Sequence, residues 1–596
     1  MHPRLDIRRF PERTLPRLMA ASARNHPDRP FLRFLDPARP DAPLRVLDFA
    51  AFARGAGRAA AFLRTVGVGP GDRVLLLAEN APEWQLLAFG AQLLRAEPAA
   101  LFASLGADQV QAIARRVKPR VAVVSGPAQW AKLAPVAPAL AAQGLAAVIS
   151  GDPLDGVSLP AGLWSATYGE ATGEGAPALE PAEVEALARA GTEDDPFLLL
   201  FTSGTTGRPK GVRIAQRAIV HAIDGGNSSV GTTAQDTGLH FLPFAHVAGH
   251  DHFALALAQG HELLMVARRE DIERGLALGP TYLFSVPLVY DRIRSAVEEK
   301  LAHLPGPLSA LARGALGAAA RVRVDGSRRL RDRALTRVAD WLVGKAVRAK
   351  LGGRVRGLFS GGAPASAALF RFFESLGIPF VELYGMSETA GLISSNLFAG
   401  VRRATSAGVL TPDHEVRFAP DGELELRGPL VFRGYLEPED DEGAFTADGF
   451  FRTGDLARLD DEGFLRVEGR KKHLLVLSTG KKLSPEPIEQ AIAAAAPFQG
   501  AVLLGEGRPF VSAAVFVAKE ELSRLAAAGK DAAAELLPRV QAALAAFSDF
   551  EKPKRLLVIP GAPADHPGLM TPTLKVKRDA LLALLGGSVA EIYGAA

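Results

Sequence analysis

The sequence predicts an α/β protein with a largely parallel sheet, a small β-rich subdomain behind it, and a compact α+β unit at the carboxy end. Three observations carry this prediction. Short apolar runs bounded by Gly, Asp, Asn or Pro, such as DRVLLLAEN, RVAVVSG and PFLLLFTSG, alternate with alanine-rich stretches of helical period such as PEWQLLAFGAQLLRA. That alternation is the pattern of parallel strands joined by helical crossovers. After Ser406 the texture becomes antiparallel: HEVRFAPDGELELRG alternates around Pro420, Asp421 and Gly422, and FFRTGDLARLDDEGFLRVEG repeats the device around Asp461, Glu462 and Gly463. Beyond Gly469 come a basic run, a strand-like HLLVLSTG, a Pro-started helix EPIEQAIAAAA, strands AVLLGE and FVSAAVFVA, a helix over 536–547, and a strand RLLVIP. This last unit has roughly 120 residues, well within domain size.

Composition sets the outer limits. At 596 residues and 48% hydrophobic, the chain has core enough for two or more domains, and a boundary is expected between Lys471 and Lys472, giving 1–471 and 472–596. The absence of cysteine excludes disulfides, thiolate metal sites and a cysteine nucleophile, and an intracellular, cytoplasmic location is expected. The opening MHPRLDIRRFPERTLPRL is charged and proline-broken, so no signal peptide is expected, and no apolar run approaches the ~20 residues of a membrane span. A net charge of +4 is small for this length and does not point to nucleic acid.

The chemistry begins at FTSGTTGRPKGV, residues 201–212, directly after the buried-strand signal PFLLL. Gly204 and Gly207 let backbone N–H groups approach an anion, Thr202, Ser203, Thr205 and Thr206 add hydroxyls, and Lys210 adds a fixed charge. Together these make a polyphosphate cradle. It differs from the P-loop of strand–loop–helix nucleotidases, since Pro209 precedes the lysine and Gly211 follows it.

The string resembles the signature loop of the adenylate-forming superfamily, which includes acyl-CoA and aryl-CoA synthetases, and the resemblance recurs in order along the chain. It implies a large domain of stacked α/β sheets and a mobile small domain, with ATP, Mg²⁺ and CoA as partners. Gly362, Ala363 and Pro364 look like the adenine-contacting turn. In YGMSET, the resemblance implies that Tyr384 and Gly385 meet adenine, that Ser387 bonds the α-phosphate, and that Glu388 helps hold Mg²⁺ with Thr206. Asp455, at the end of FFRTGD, is implied as the ribose ligand, Arg470 as the arginine reaching ribose and phosphate, and Lys472 as the hinge. Lys575, in TPTLKVKRDALL, aligns with the lysine that neutralises charge developing between the substrate carboxylate and the α-phosphate.

Two features are similar to the long-chain fatty-acyl-CoA synthetases. A helical segment fills the stretch from Tyr290 to Gly357, and LSTGKKLSPEPIEQ looks like the branch's CoA-facing segment, with Gly480 and Lys481 beside the pantetheine. Thr479 and Lys482 depart from that pattern, as does PFAHVAGH. His240, His246, His250 and His252, with Asp251, have spacing that a metal could use, but acyl-pocket and core roles are the expectation, with His246 at the carboxylate end of the pocket. The function expected is therefore activation of a fatty acid with ATP and transfer to CoA. A ligase loading a carrier protein and a catalytically silent binding homologue are the alternatives.

Segment 328–356 carries ten Lys/Arg against two Asp, and Leu330, Ala334, Val338, Trp341 and Leu342 recur at helical spacing. Such a helix either lies on an anionic bilayer or packs its stripe on the domain.

Overall fold

The structure, a computed structural model, describes residues 8–37, 39, 42–202, 208–571 and 576–594. A seven-stranded sheet runs in the order Trp164–Thr167, Ala147–Ser150, Val121–Val124, Arg73–Leu77, Glu97–Leu101, Pro196–Thr202 and Lys210–Ala215. All neighbours are parallel except the last pair. The uninterrupted apolar runs in the sequence are explained by burial on both faces. Val74 and Leu76 enter one hydrophobic core, while Leu75 and Leu77 enter another on the opposite side.

The first of these cores is shared with a second sheet. Phe31, Leu32, Leu263 and Met265 from that sheet meet Val74 and Leu76 through the helices Phe49–Thr65, Pro82–Leu93 and Val247–Gln259. All twelve residues of Pro82–Leu93 are buried, as a helix between two sheets must be. A further helical layer covers the outer face of the second sheet, with Tyr290, Phe373 and Phe380 at its core. Stacked sheets separated and flanked by helices are the result.

The second sheet has thirteen strands. Its parallel part comprises Pro30–Leu35, Glu262–Val266, Thr237–His240, Tyr282–Ser285, Gly357–Ser360 and Phe380–Met386. At Phe380–Met386 the sheet turns antiparallel and continues through Gly391–Ser395, Gly408–Leu410, Phe464–Arg470, Phe451–Leu459, Glu423–Arg427 and Glu415–Phe418. The change thus comes before Ser406, and the β-rich part continues the main sheet through one strand. Gly391–Ser395 is buried at all five positions, so its GLISS sequence carries no alternation to read.

Residues after Lys472 build their own core. Strands Phe498–Leu504, Ser512–Val517 and Leu556–Pro560 pack Leu503 and Val515 against Ile488, Leu536 and Val540 from helices Pro485–Ala493 and Ala532–Ala543. The last helix begins four residues before the expected 536. HLLVLSTG yields only the two-residue strand Leu475–Val476, paired with Lys482–Leu483.

The helical insertion consists of Pro287–Ala302, Gly306–Arg323, Leu330–Ala339, a π turn at Asp340–Gly344, and Lys345–Lys350. The apolar stripe read from the sequence does not face the domain as a unit. Ala315, Ala319 and Ala339 allow close helix approach, and Arg321 Nη2 holds Asp332 Oδ1 at 2.7 Å, so Asp332, Thr336 and Ala339 point inward. Leu330 and Trp341 are left 82% and 73% exposed. Among the described residues no helix is long and apolar enough to cross a membrane.

Candidate active site

A cleft of about 3520 Å³ is lined by both parts of the chain. On its floor, Thr202 and Lys210 face each other as antiparallel partners, so the connection between them joins two strands and no helix follows. That separates it structurally from a strand–loop–helix nucleotide loop. Ser203, Gly204, Thr205, Thr206 and Gly207 lie outside the described residues. Lys210 Nζ donates to the Asp440 carbonyl at 2.9 Å, stands 3.8 Å from its carboxylate and sits 4.6 Å from the Tyr435 ring centre. Arg208 also bonds the Asp440 carboxylate, at 2.9 Å.

One wall is a three-residue polar cluster. The Tyr384 hydroxyl donates to Asp455 Oδ2 at 2.7 Å, and Arg470 Nε lies 2.9 Å from Oδ1. Asp455 and Arg470 are register partners on adjacent strands, which is why the motifs FFRTGD and GRKK come together. Burial works against the Arg470 charge, but Asp455 beside it raises its pKa overall. Lys472 is shifted the other way, lowered by burial and by the Arg470 cation.

Ser387 and Glu388 occupy the short 3₁₀ turn Ser387–Thr389 at the end of Phe380–Met386. Gly385 must be glycine here, since a Cβ would lie 1.5 Å from the Gly391 carbonyl oxygen. Burial raises the Glu388 pKa, and its Oε1 accepts the Tyr435 hydroxyl at 3.1 Å. A desolvated carboxylate with one oxygen steadied by a neutral donor suits a hard divalent cation.

Gly362, Ala363 and Pro364, expected at an adenine-contacting turn, line the same cleft, with Gly362 at φ +80°. Glu382, which the motifs do not mark, lies beside them. It shares a strand face with Tyr384, two residues on, and its Oε1 accepts the Ala365 N–H at 3.0 Å. Its Oε2 is buried with no hydrogen-bond partner, and burial pushes its pKa up to about 8. Tyr435 and Asp440 are likewise unmarked. Nothing in their local sequence singles them out, and only the fold brings them to Glu388 and Lys210.

Away from the nucleotide wall the cleft is apolar, with Ile223, Val230, Leu255, Phe284 and Phe359 among its lining residues. His246 lines it too, and its Nδ1 caps helix Val247–Gln259 by accepting the Ala248 N–H at 3.1 Å. The other histidines are buried and bonded: His240 Nδ1 to His252 Nδ1 at 3.2 Å, His252 Nε2 to the Tyr282 hydroxyl at 2.9 Å, and His250 Nε2 to the Phe244 carbonyl at 2.7 Å. Burial holds all three imidazoles below the usual histidine range. Among the described residues no group of three His, Cys, Asp or Glu could hold a metal ion.

Two predicted positions are not in the cleft wall. Gly480, at φ +81° with open space where a Cβ would stand, turns the hairpin between Leu475–Val476 and Lys482–Leu483, so its backbone alone accounts for glycine. Lys481 Nζ stands 4.5 Å from the Phe550 ring centre. Lys575 lies outside the described residues, while Met570 and Val576 on either side pair as an antiparallel bridge and line the cleft.

The Lys210 hairpin, the Asp455 and Arg470 pair, and an apolar pocket open onto one cleft lined by both parts of the chain, an arrangement in keeping with an AMP-forming ligase. The chain belongs to the AMP-binding enzymes: that family matches residues 19–436, and the AMP-binding enzyme C-terminal domain matches 472–596. Among curated relatives, long-chain-fatty-acid–CoA ligase FadD15 of Mycobacterium bovis is 32% identical over 565 residues, covering 90% of each chain. Long-chain-fatty-acid–CoA ligase heimdall of Drosophila melanogaster is 30% identical over 525 residues, covering 84% of this chain and 76% of its own. In fold, ATP-bound MatB from Rhodopseudomonas palustris matches with a TM-score of 0.68 at 21% identity, covering 96% of this chain and 99% of that one. The adenylation domain of a carboxylate reductase from Mycobacterium chelonae matches at 0.75 and 21%, covering 98% and 91%.

Proposed function

We propose that this protein is an AMP-forming acyl-CoA synthetase that activates long-chain fatty acids. The observation that carries the proposal is one cleft lined both by the Tyr384, Asp455 and Arg470 wall and by the apolar residues around His246. A fatty-acid carboxylate oxygen attacks the α-phosphorus of ATP, the bond to the pyrophosphate oxygen breaks, and acyl-AMP remains. Asp455 accepts the ribose hydroxyls, Tyr384 packs on adenine, and the unpartnered Glu382 oxygen meets the adenine amino group. Ser387 donates to the α-phosphate, while Lys210 and residues 203–207 hold the outer phosphates. Glu388 and Thr206 would hold Mg²⁺, which when bound offsets charge on the phosphates. Lys575 neutralises the charge that gathers between carboxylate and phosphate.

In the second step the CoA sulfur attacks the acyl carbonyl, AMP leaves with the bonding pair, and the thiol proton is lost to solvent. The small domain, 472–596, turns about Lys472 to exchange Lys575 for the Gly480 and Lys481 hairpin. Support for this pivot is that Lys472 lies where the large-domain sheet ends and where the match to the C-terminal domain begins. The test is an acyl panel, C4 to C20 with aromatic acids, assayed for pyrophosphate, AMP and thioester with free CoA. Failure of every acid to release pyrophosphate refutes the activity, and AMP release only with a carrier protein favours the carrier-loading alternative.

The exposed face of the helical insertion favours a peripheral membrane contact as well. Leu330 is exposed between Arg329 and Arg331, and Trp341 is exposed four residues past Arg337, a pairing of apolar anchors with cations that suits an anionic surface. Co-sedimentation with anionic vesicles, lost in high salt and in the R329E/R333E/R337E variant, is the expected result. Equal sedimentation with neutral vesicles refutes it.

A further inference from the structure

Asp251 stands out among the described polar groups around His246 in the cleft. It lies in helix Val247–Gln259, five residues past His246, and lines the cleft. Around it, His246 caps the helix, and His252 and Tyr282 are bonded to one another. Asp251 Oδ1 is buried without a hydrogen-bond partner. Desolvation raises its pKa well above the ordinary value, and among the described residues no cation offsets it. Burial thus favours the neutral carboxylic acid, which has one donor and one acceptor to place.

Its position along the cleft is fixed by Gly391. A Cβ there would lie 1.9 Å from Asp251 Oδ2, and φ is +117°, so the carboxyl is lodged directly against backbone three residues past Glu388. Gly391 in turn abuts Gly385 of the nucleotide motif. Asp251 thus sits toward the reacting end of the acyl pocket and not at its far end.

We infer that Asp251 is a specificity residue for acyl chains carrying a hydroxyl near the carboxyl, on C2 to C4. The inference rests on the acyl-activating reading above. A plain methylene chain laid over Asp251 leaves a buried polar group unpaired, whereas a hydroxyl both accepts from it and donates to it. An ammonium substituent would pair with the carboxylate only by taking two charges out of water, a cost that a neutral hydroxyl does not meet.

The experiment compares kcat/KM for plain, 3-hydroxy, 3-amino and terminally hydroxylated acids of equal length, in wild type, Asp251→Leu and Asp251→Asn. The expected wild-type preference for the 3-hydroxy over the plain acid is about 10-fold or more, since a site that hydrogen-bonds a substrate hydroxyl discriminates strongly against the analogue lacking it. Asp251→Leu reverses the preference while raising plain-acid turnover, and Asp251→Asn, which keeps a donor and an acceptor, retains part of it. A wild type that favours the plain, amino or terminally hydroxylated acid overturns the inference, as does a ratio unchanged in Asp251→Leu. Those outcomes leave the activity standing, because the plain acid is turned over; activation of none of the acids overturns both readings.

Discussion

Replacing Glu382 by glutamine tests the adenine wall without changing its shape. Glu382 is 5% exposed, one oxygen is bonded to the Ala365 N–H and the other has no partner among the described residues. Burial moves its pKa from 4.5 to about 8, so the folded protein keeps a proton that the unfolded chain gives up. Stability from this group is full below pH 4.5, falls as pH rises, and levels off above 8. At about 1.4 kcal/mol per pH unit the whole loss is about 5 kcal/mol, of which about 3 to 4 kcal/mol falls between pH 5 and 8. With a melting entropy of about 2.1 cal/mol/K per residue, a large domain of some ~470 residues should lose about 3–4 °C of melting temperature over that interval. Glu382→Gln cannot ionise and should lack that part of the decline. Thermal melts of both proteins at pH 5, 6, 7 and 8 measure the difference, and ATP should narrow it by giving Oε2 a donor. Parallel pH profiles for the two proteins refute the reasoning.

Lys575→Ala should lower acyl-AMP formation by at least ~100-fold, the scale of losing a transition-state charge partner, while thioester formation from presynthesised acyl-AMP is largely kept; equal loss in both half-reactions rejects the role. Lys472→Pro, which fixes φ, should trap one domain arrangement and change the ratio of the two half-reactions, and an unchanged ratio places the pivot elsewhere. Asp455→Ala should weaken ATP binding about 10- to 100-fold, since a hydrogen bond to a charged group is worth about 1.5–3 kcal/mol, with little effect on the fatty-acid KM. An equal rise in both KM values argues against a ribose contact.

The sheets were legible in the sequence where burial wrote a pattern. PFLLL and RVAVV are apolar on both faces because each strand feeds two cores, and the two acidic turns mark hairpins that the structure contains. GLISS was not legible, since a strand buried at every position has no period. The motifs located Tyr384, Asp455 and Arg470 separately, but their contact depends on a strand order that places residues 71 apart within 2.7 Å. Glu382 and Asp440 look like any acids in sequence, and Asp251 is marked there only by its neighbouring histidines. Only burial distinguishes them, and burial is a property of the fold. The insertion's apolar stripe misled because helix packing was decided by Ala315, Ala319 and Ala339, which allow close approach, and not by its largest side chains.

Lys210 does not wait with an unpaired charge. It is tied to Asp440, which Arg208 also engages, while Arg116 pairs with Glu437 three residues before. On the proposed phosphate role of Lys210, incoming phosphates take over cations that already have partners, with the Asp440 segment as their placeholder. Binding becomes an exchange of anions, with fewer counterions released than the number of basic residues in contact would suggest. The dependence of ATP affinity on ionic strength should then be shallow in the wild type and steeper in Asp440→Asn, where the lysine's charge is no longer balanced from within. An acidic residue facing the Lys210 hairpin from the turn Pro438–Asp441 should thereby make nucleotide capture less sensitive to the salt content of its surroundings.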